Sequence, residues 1–248
     1  MRTLYAIRSG LAIALFVVLM LVMYPIVILA NLFTLGHATN PMTQYVLPWF
    51  MAPCFWVLGI RFKREFHETT LPKQAIYIFN HNATIDLLTI FALGIPRSRY
   101  VAKWEIQYIP VFFLLGRVTG QIFIKRQNSK QAVQHLHKQY KRILKQRLSI
   151  VIAPEGTRKH EGLVGPFKKG PFRMAIDLGI PIVPVFFEGN RDLNPGDALV
   201  VTPGTIRAHI MPAIDTSNWS TSTLPKHIED VRNLYIGWEE SSPQKSVA

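Results

Sequence analysis

Two short stretches of this chain carry side chains able to do chemistry. Residues 80–86 read Asn-His-Asn-Ala-Thr-Ile-Asp, and residues 153–158 read Ala-Pro-Glu-Gly-Thr-Arg. In the first, His81 can accept and return a proton near neutral pH. Asp86 is a candidate for the carboxylate that fixes an imidazole tautomer and stabilises the imidazolium once it forms. On one regular helix the two would lie about 140° apart. A pairing therefore needs His81 in a turn and Asp86 in the first turns of the helix that follows. The same pattern suits a capping histidine and a helix-start aspartate, each placed for local reasons. In the second stretch, Pro154 and Gly156 shape a turn, and Glu155 and Arg158 offer opposite charges to a hydroxylated, phosphorylated ligand. Lys168 and Lys169 follow before a helix start, where an anion is favoured. The alternative is a surface turn with a weak ion pair.

Both stretches sit where an apolar run ends, which is where α/β sheets place ligands. Ala75–Asn80, Tyr100–Ala102, Gln121–Ile124, Ser149–Ala153, Ile182–Phe187 and Ile206–Met211 read as strands. Ile85–Leu93, Ser129–Arg147, Gly170–Leu178 and Leu224–Glu240 read as helices. Strands alternating with helices argue for a mixed, mostly parallel sheet covered by helices.

The 248 residues carry 49% hydrophobic and only 17% charged residues, with a formal net charge of +13. That balance excludes a disordered chain and suggests an anionic partner. Between Ser9 and Ile60 there is no Asp, Glu, Lys or Arg. Leu11–Ala30 is long and apolar enough to span a bilayer, and longer than the apolar core of a signal peptide. Tyr45–Ile60 carries Pro48 and Pro53 with Trp49, Phe50, Phe55 and Trp56, and reads as a re-entrant or interfacial helix. Arg2 and Arg8 before the pair, and Arg61, Lys63 and Arg64 after it, place both flanks on the cytoplasmic side, as a hairpin would. The expected organisation is a membrane anchor at 1–64, an α/β domain at 65–240 and a loose tail at 241–248. The basic face of Ser129–Arg147 suits an anionic lipid surface. No nucleic-acid recognition motif is present. A single cysteine, Cys54, excludes an internal disulfide framework. His135 and His137, two apart on a helix, do not share a face, and no HExxH occurs, so no metal is expected.

Four blocks in order, NHNATID, GQIFIKR, APEGTR and GIPIVPV, resemble the glycerophospholipid acyltransferases, and within them the 1-acyl-glycerol-3-phosphate acyltransferase branch. VAKWEIQYIP and PFKKGPFRMAIDLGIPIVPV extend the likeness, as does an apolar hairpin ahead of the first block. The last forty or so residues are weakly matched. The resemblance implies His81 as general base and Asp86 as its orienting partner. It implies Lys103 and Arg126 at the acceptor phosphate, and Glu155, Gly156, Thr157 and Arg158 at the acceptor glycerol phosphate. Pro181 belongs to the fourth block, which the resemblance links to the acyl-donor site. Lys125 and Lys159 depart from the family pattern and add positive charge. The implied reaction moves an acyl chain from acyl-CoA or acyl-carrier protein to the free hydroxyl of 1-acyl-glycerol 3-phosphate, giving phosphatidate for phospholipid synthesis, with no cofactor. It would take place at the cytoplasmic face of a membrane, the inner membrane in a bacterium. No GxSxG elbow is present and Cys54 lies in an apolar segment, so direct transfer fits better than an acyl-enzyme. Another lyso-lipid or glycerol 3-phosphate is the nearest alternative acceptor. A lipid hydrolase and a non-catalytic protein that binds anionic lipid are the alternatives of other classes.

Overall fold

The computed structural model describes residues 1–124, 129–158 and 164–242, with backbone alone at 111 and 129–136. The chain opens with α1 (Arg2–Phe33). A turn leads to α2 (Thr39–Pro41), a π-helical stretch at Met42–Val46, and α3 (Leu47–Leu58). These three pieces run on without a break from Thr39 to Leu58, so the second apolar segment begins earlier than its sequence suggests. Pro48 has no N–H for the helical ladder, and a π turn is the usual way a helix absorbs such a gap. Gly59 (φ +71°) ends α3 in the left-handed conformation.

The rest alternates. In order come β1 (Ile60–Phe66), β2 (Ile76–Phe79), α4 (Asp86–Ala92), β3 (Ser98–Lys103), a 3-10 turn at Trp104–Tyr108, α5 (Pro110–Thr119), β4 (Ile122–Ile124), α6 (Ser129–Lys145) and β5 (Ser149–Ile152). Then follow α7 (Lys169–Leu178), β6 (Ile182–Glu188), α8 (Asn190–Leu193), β7 (Gly204–Ile210) and α9 (Leu224–Ser241). The seven strands form one sheet in the order β1-β7-β6-β2-β5-β3-β4. Strands β6, β2, β5, β3 and β4 are parallel; β7 runs antiparallel to β6 and carries β1 parallel beside it. Strands β2 and β5 are buried along their whole length, as parallel strands covered on both faces must be.

Strand β1 and helices α5 and α8 escaped the sequence reading. Strand β1 joins the sheet and runs through residues 64 and 65, where the anchor was expected to give way to the domain. Its charges suit an exposed edge strand and mask the strand pattern. Helix α5 looks like loop because Pro110 opens it, Gly116 interrupts it and Gly120 caps it; proline at the first helical turn is in fact favourable.

The hairpin of α1 and α2–α3 lies along the domain rather than projecting from it. At one end Arg8 Nε donates to the Val57 carbonyl (2.8 Å), and the Val201 amide donates to Ser9 Oγ (2.9 Å). At the other, Arg99 Nη1 donates to Asn40 Oδ1 (3.1 Å). Between them Gly94 (φ +65°) lies so close that an added Cβ would meet the Gln44 carbonyl oxygen at 2.7 Å. Ser9, Ala12, Met23, Val27 and Asn31 are buried on one stripe of α1, while Leu11, Val17, Val18, Leu21, Leu29 and Leu32 on its other faces are exposed.

Candidate active site

The carboxyl end of β2 opens directly into the His81 turn. Asn80 prolongs the sheet with its side chain: Phe187 N–H donates to Asn80 Oδ1 (2.8 Å), and Asn80 Nδ2 donates to the Phe187 carbonyl (3.2 Å). The chain then turns, and Asp86 opens α4. Asp86 Oδ2 accepts from the amides of Asn82 (3.0 Å) and Ala83 (3.1 Å) and lies 2.8 Å from His81 Nδ1. Its other oxygen accepts from Asn190 Nδ2 at 2.6 Å. Three donors thus converge on Oδ2 and one on Oδ1, and Asp86 is 0% exposed. With an acceptor-only carboxylate at Nδ1, the His81 proton sits there, and Nε2 carries the free lone pair. The ring stands edge-on to Phe79, and the side chain is 22% exposed, enough for Nε2 to meet a substrate.

The structure brings the second stretch against the first. Glu155 is 1% exposed. Its Oε1 accepts the His81 amide (2.8 Å) and its Oε2 the Gly165 amide (2.9 Å). Glu155 thus ties the turn after β5 to the turn after β2. Arg158 pairs with Asp197 (3.1 Å) rather than with Glu155. Gly156 has φ +72°, and Thr157 is exposed beside it. Lys103 ends β3, level with Ile124, and lies 3.8 Å from Glu105 with both side chains well exposed. It shares the sheet edge of His81 two strands away, about 10 Å across. Arg126, Lys125 and Lys159 lie outside the described residues. Pro181 is at the opposite edge: it precedes Ile182, which pairs with Ile76 at the start of β2. The Ile-Pro pair opens β6 and is remote from the chemistry.

Several site residues were not anticipated. Gly189 (φ +89°) turns the chain out of β6 into α8; a Cβ there would meet the Thr205 carbonyl oxygen at 2.6 Å. Asn190 opens α8 and Asn194 caps its end in a non-helical conformation. Asn190 reaches Asp86, and Asn194 Oδ1 accepts the Ile85 amide at 2.9 Å. The loop beyond returns the Gly196 amide to the Asn82 carbonyl (2.9 Å). Two asparagines four apart just after a buried strand were the available signal. From α9, the Tyr235 hydroxyl donates to the Ile78 carbonyl (2.7 Å) and accepts the Val185 amide (3.2 Å), standing between β2 and β6. One turn on, Glu239 Oε1 accepts from Asn82 Nδ2 (3.3 Å) and faces Arg191 (3.9 Å). Burial pushes the Glu239 carboxyl up to about 7; Arg191 opposes this, and the charges of Asp192, Glu155 and Asp86 add to it.

Comparison with known proteins places this arrangement. The acyltransferase family model matches residues 63–188. A 1-acyl-sn-glycerol-3-phosphate acyltransferase of Haemophilus influenzae is 31% identical over 199 residues, covering 79% of this chain and 81% of that one. The enzyme of the same name from Limnanthes douglasii is 31% identical over 181 residues; the match covers 73% of this chain but only 64% of that protein's length. Among solved structures, a 1-acyl-sn-glycerophosphate acyltransferase of Thermotoga maritima superposes with a TM-score of 0.70 at 21% identity, covering 96% of this chain and 100% of that one.

Proposed function

This chain belongs to the acyltransferase family, and on that premise we propose that it transfers an acyl chain from a thioester donor to the free hydroxyl of 1-acyl-glycerol 3-phosphate, giving phosphatidate. The observation that carries the reading is the 2.8 Å contact of His81 Nδ1 with a fully buried, fourfold-bonded Asp86. It leaves Nε2 as a base at the carboxyl edge of the sheet. His81 Nε2 takes the hydroxyl proton as the oxygen attacks the thioester carbonyl. The tetrahedral intermediate collapses, the carbon–sulfur bond breaks, and the thiolate leaves with the proton His81 returns. A positioned base contributes about 10²–10⁴-fold, and holding two substrates in attack geometry contributes more. Asp86 keeps the tautomer and stabilises the imidazolium. Lys103, Arg158, Lys168 and Lys169, with Arg126 by resemblance, supply positive charge for the acceptor phosphate. The donor is acyl-CoA or acyl-carrier protein, and the acceptor comes from the membrane. The apolar hairpin rests in the cytoplasmic leaflet with its exposed face toward lipid.

The test is transfer of a labelled acyl group from acyl-CoA to lysophosphatidate in vesicles, for wild type and His81→Ala. Labelled phosphatidate from the wild type and a fall of at least about 10²-fold in the folded variant are expected. Transfer that survives in His81→Ala sinks the mechanism. Transfer only to another lyso-lipid or to glycerol 3-phosphate moves the acceptor. Fatty acid released without acceptor makes the enzyme a hydrolase.

A further inference from the structure

Three side chains converge on one point at the outer part of the sheet, on strands that carry none of the active-site groups. Glu65 on β1 and His67 just beyond it are two residues apart and so share a face. The register sets Glu65 opposite His209 on β7, and the His67 amide continues that pairing to the Ile210 carbonyl (3.0 Å). His67 Nε2 lies 3.1 Å from His209 Nδ1, and Glu65 Oε2 lies 3.3 Å from the same nitrogen. The other ring nitrogen of His209, Nε2, is 3.0 Å from Glu188 Oε2. A proton donated there leaves Nδ1 with a single lone pair. An N–H from His67 can satisfy that lone pair. The Glu65 carboxylate, itself an acceptor, cannot. A cation at the common point satisfies all three.

We propose that Glu65, His67 and His209 form a binding site for a divalent cation of the zinc type. Ligands at about 2.0–2.1 Å from zinc and tetrahedrally disposed stand about 3.3 Å apart. Two edges of the triangle already have that length, and all three ligand atoms lie within 4.8 Å of one another. Two imidazoles and one carboxylate suit zinc better than magnesium or calcium, which prefer oxygen alone. The carboxylate of Glu188 behind His209 is the usual outer support of a metal-bound histidine. Arg207 holds Glu65 Oε1 (3.4 Å) and Glu188 Oε2 (3.3 Å), which leaves Glu65 Oε2 for the ion. Two carboxylates and one guanidinium sum to −1 with neutral histidines, so a divalent cation leaves the cluster at +1. An open depression lined by Phe66, His67, Glu68, Thr69 and Leu71 adjoins the His67 ligand, so the site is reached from solvent on that side. The ion would clip β1, which follows α3 directly, to β7, so its binding energy would fasten the hairpin to the sheet.

The full chain in detergent, stripped with a chelator, is titrated with Zn²⁺ alone and with Co²⁺ alone. One ion per chain, the intense visible band of four-coordinate cobalt and a raised thermal midpoint with Zn²⁺ are expected. His67 is exposed, so His67→Ala should fold; with Glu65→Gln it should bind at least about tenfold more weakly, since even outer-shell losses cost that much. The proposal is overturned by absence of stoichiometric binding to the wild type. It is equally overturned by unchanged binding in both variants. The cluster is then a hydrogen-bonded ion-pair network only.

Discussion

The working parts of the site are held less by their neighbours in sequence than by asparagines and a glutamate that do no chemistry. Asn190 is the clearest case, because its amide is the sole side-chain donor to Asp86 Oδ1 among the described residues. A hydrogen bond to a charged group is worth about 1.5–3 kcal/mol, or roughly 10–100-fold in rate if it acts only through His81. Asn190→Ala should therefore lower kcat by that factor with KM for the acceptor little changed. An unchanged kcat would show that backbone amides alone hold Asp86. Glu155→Gln sets an amide NH₂ against one of two buried backbone donors. It should cost about 1–3 kcal/mol of stability, read as a lower thermal midpoint; an unshifted midpoint counts against a structural Glu155. Glu239 gives a pH signature. Its carboxyl titrates near 7 in the fold and near 4.3 in an unfolded chain. Between those values the folded state holds the extra proton, so stability falls as pH rises through the window and is level above it. Glu239→Gln should be more stable than wild type at pH 8, by at most about 4 kcal/mol and read as a higher thermal midpoint, with the gap closing toward pH 5. Melting curves that stay parallel across that range would remove the buried-carboxylate reading.

At the scale of elements, α8 is four residues long and depends on Gly189 to turn out of β6. Gly189→Ala meets both a positive φ and the Thr205 carbonyl. It should displace α8 and reduce transfer and thermal stability together; retention of both would show that the loop absorbs the change. This element also marks the limit of sequence reading. Strands β2, β5 and β6 were legible because each is a short continuous apolar run ending in turn residues. The pairing of His81 with Asp86 was legible through the family resemblance, since their spacing alone equally suits a capping histidine and a helix-start aspartate. The inward role of Glu155 was not, since a glutamate in a Gly-Thr-Arg turn looks the same whether it meets a ligand or two backbone amides. Asn190, Asn194, Tyr235 and Glu239 act across 50 or more residues in sequence, and no local spacing encodes a contact of that range. Strand β1 hid behind its charges, and with it the two-residue spacing of Glu65 and His67.

At the scale of the whole molecule, the hairpin flattened on the domain keeps an apolar face exposed, and the proposed seating turns that face toward lipid. Trp49 and Trp56 are 72% and 81% exposed on α3, whereas Trp219 stacks on His227 and Trp238 packs against Phe186 and Tyr235. In single-tryptophan variants on vesicles, brominated acyl chains should quench Trp49 and Trp56 and spare Trp219 and Trp238. Quenching of all four, or of none, would refute the proposed seating. Helix α9 adds a constraint of another kind. It is the last of the described elements to leave the ribosome, yet its Tyr235 joins β2 to β6 and its Glu239 braces the His81 turn. Until residues 224–241 are delivered, a nascent chain has a complete hairpin but a base without these supports. On the proposed reading, attachment then precedes competence, and synthesis itself becomes the interval between the two.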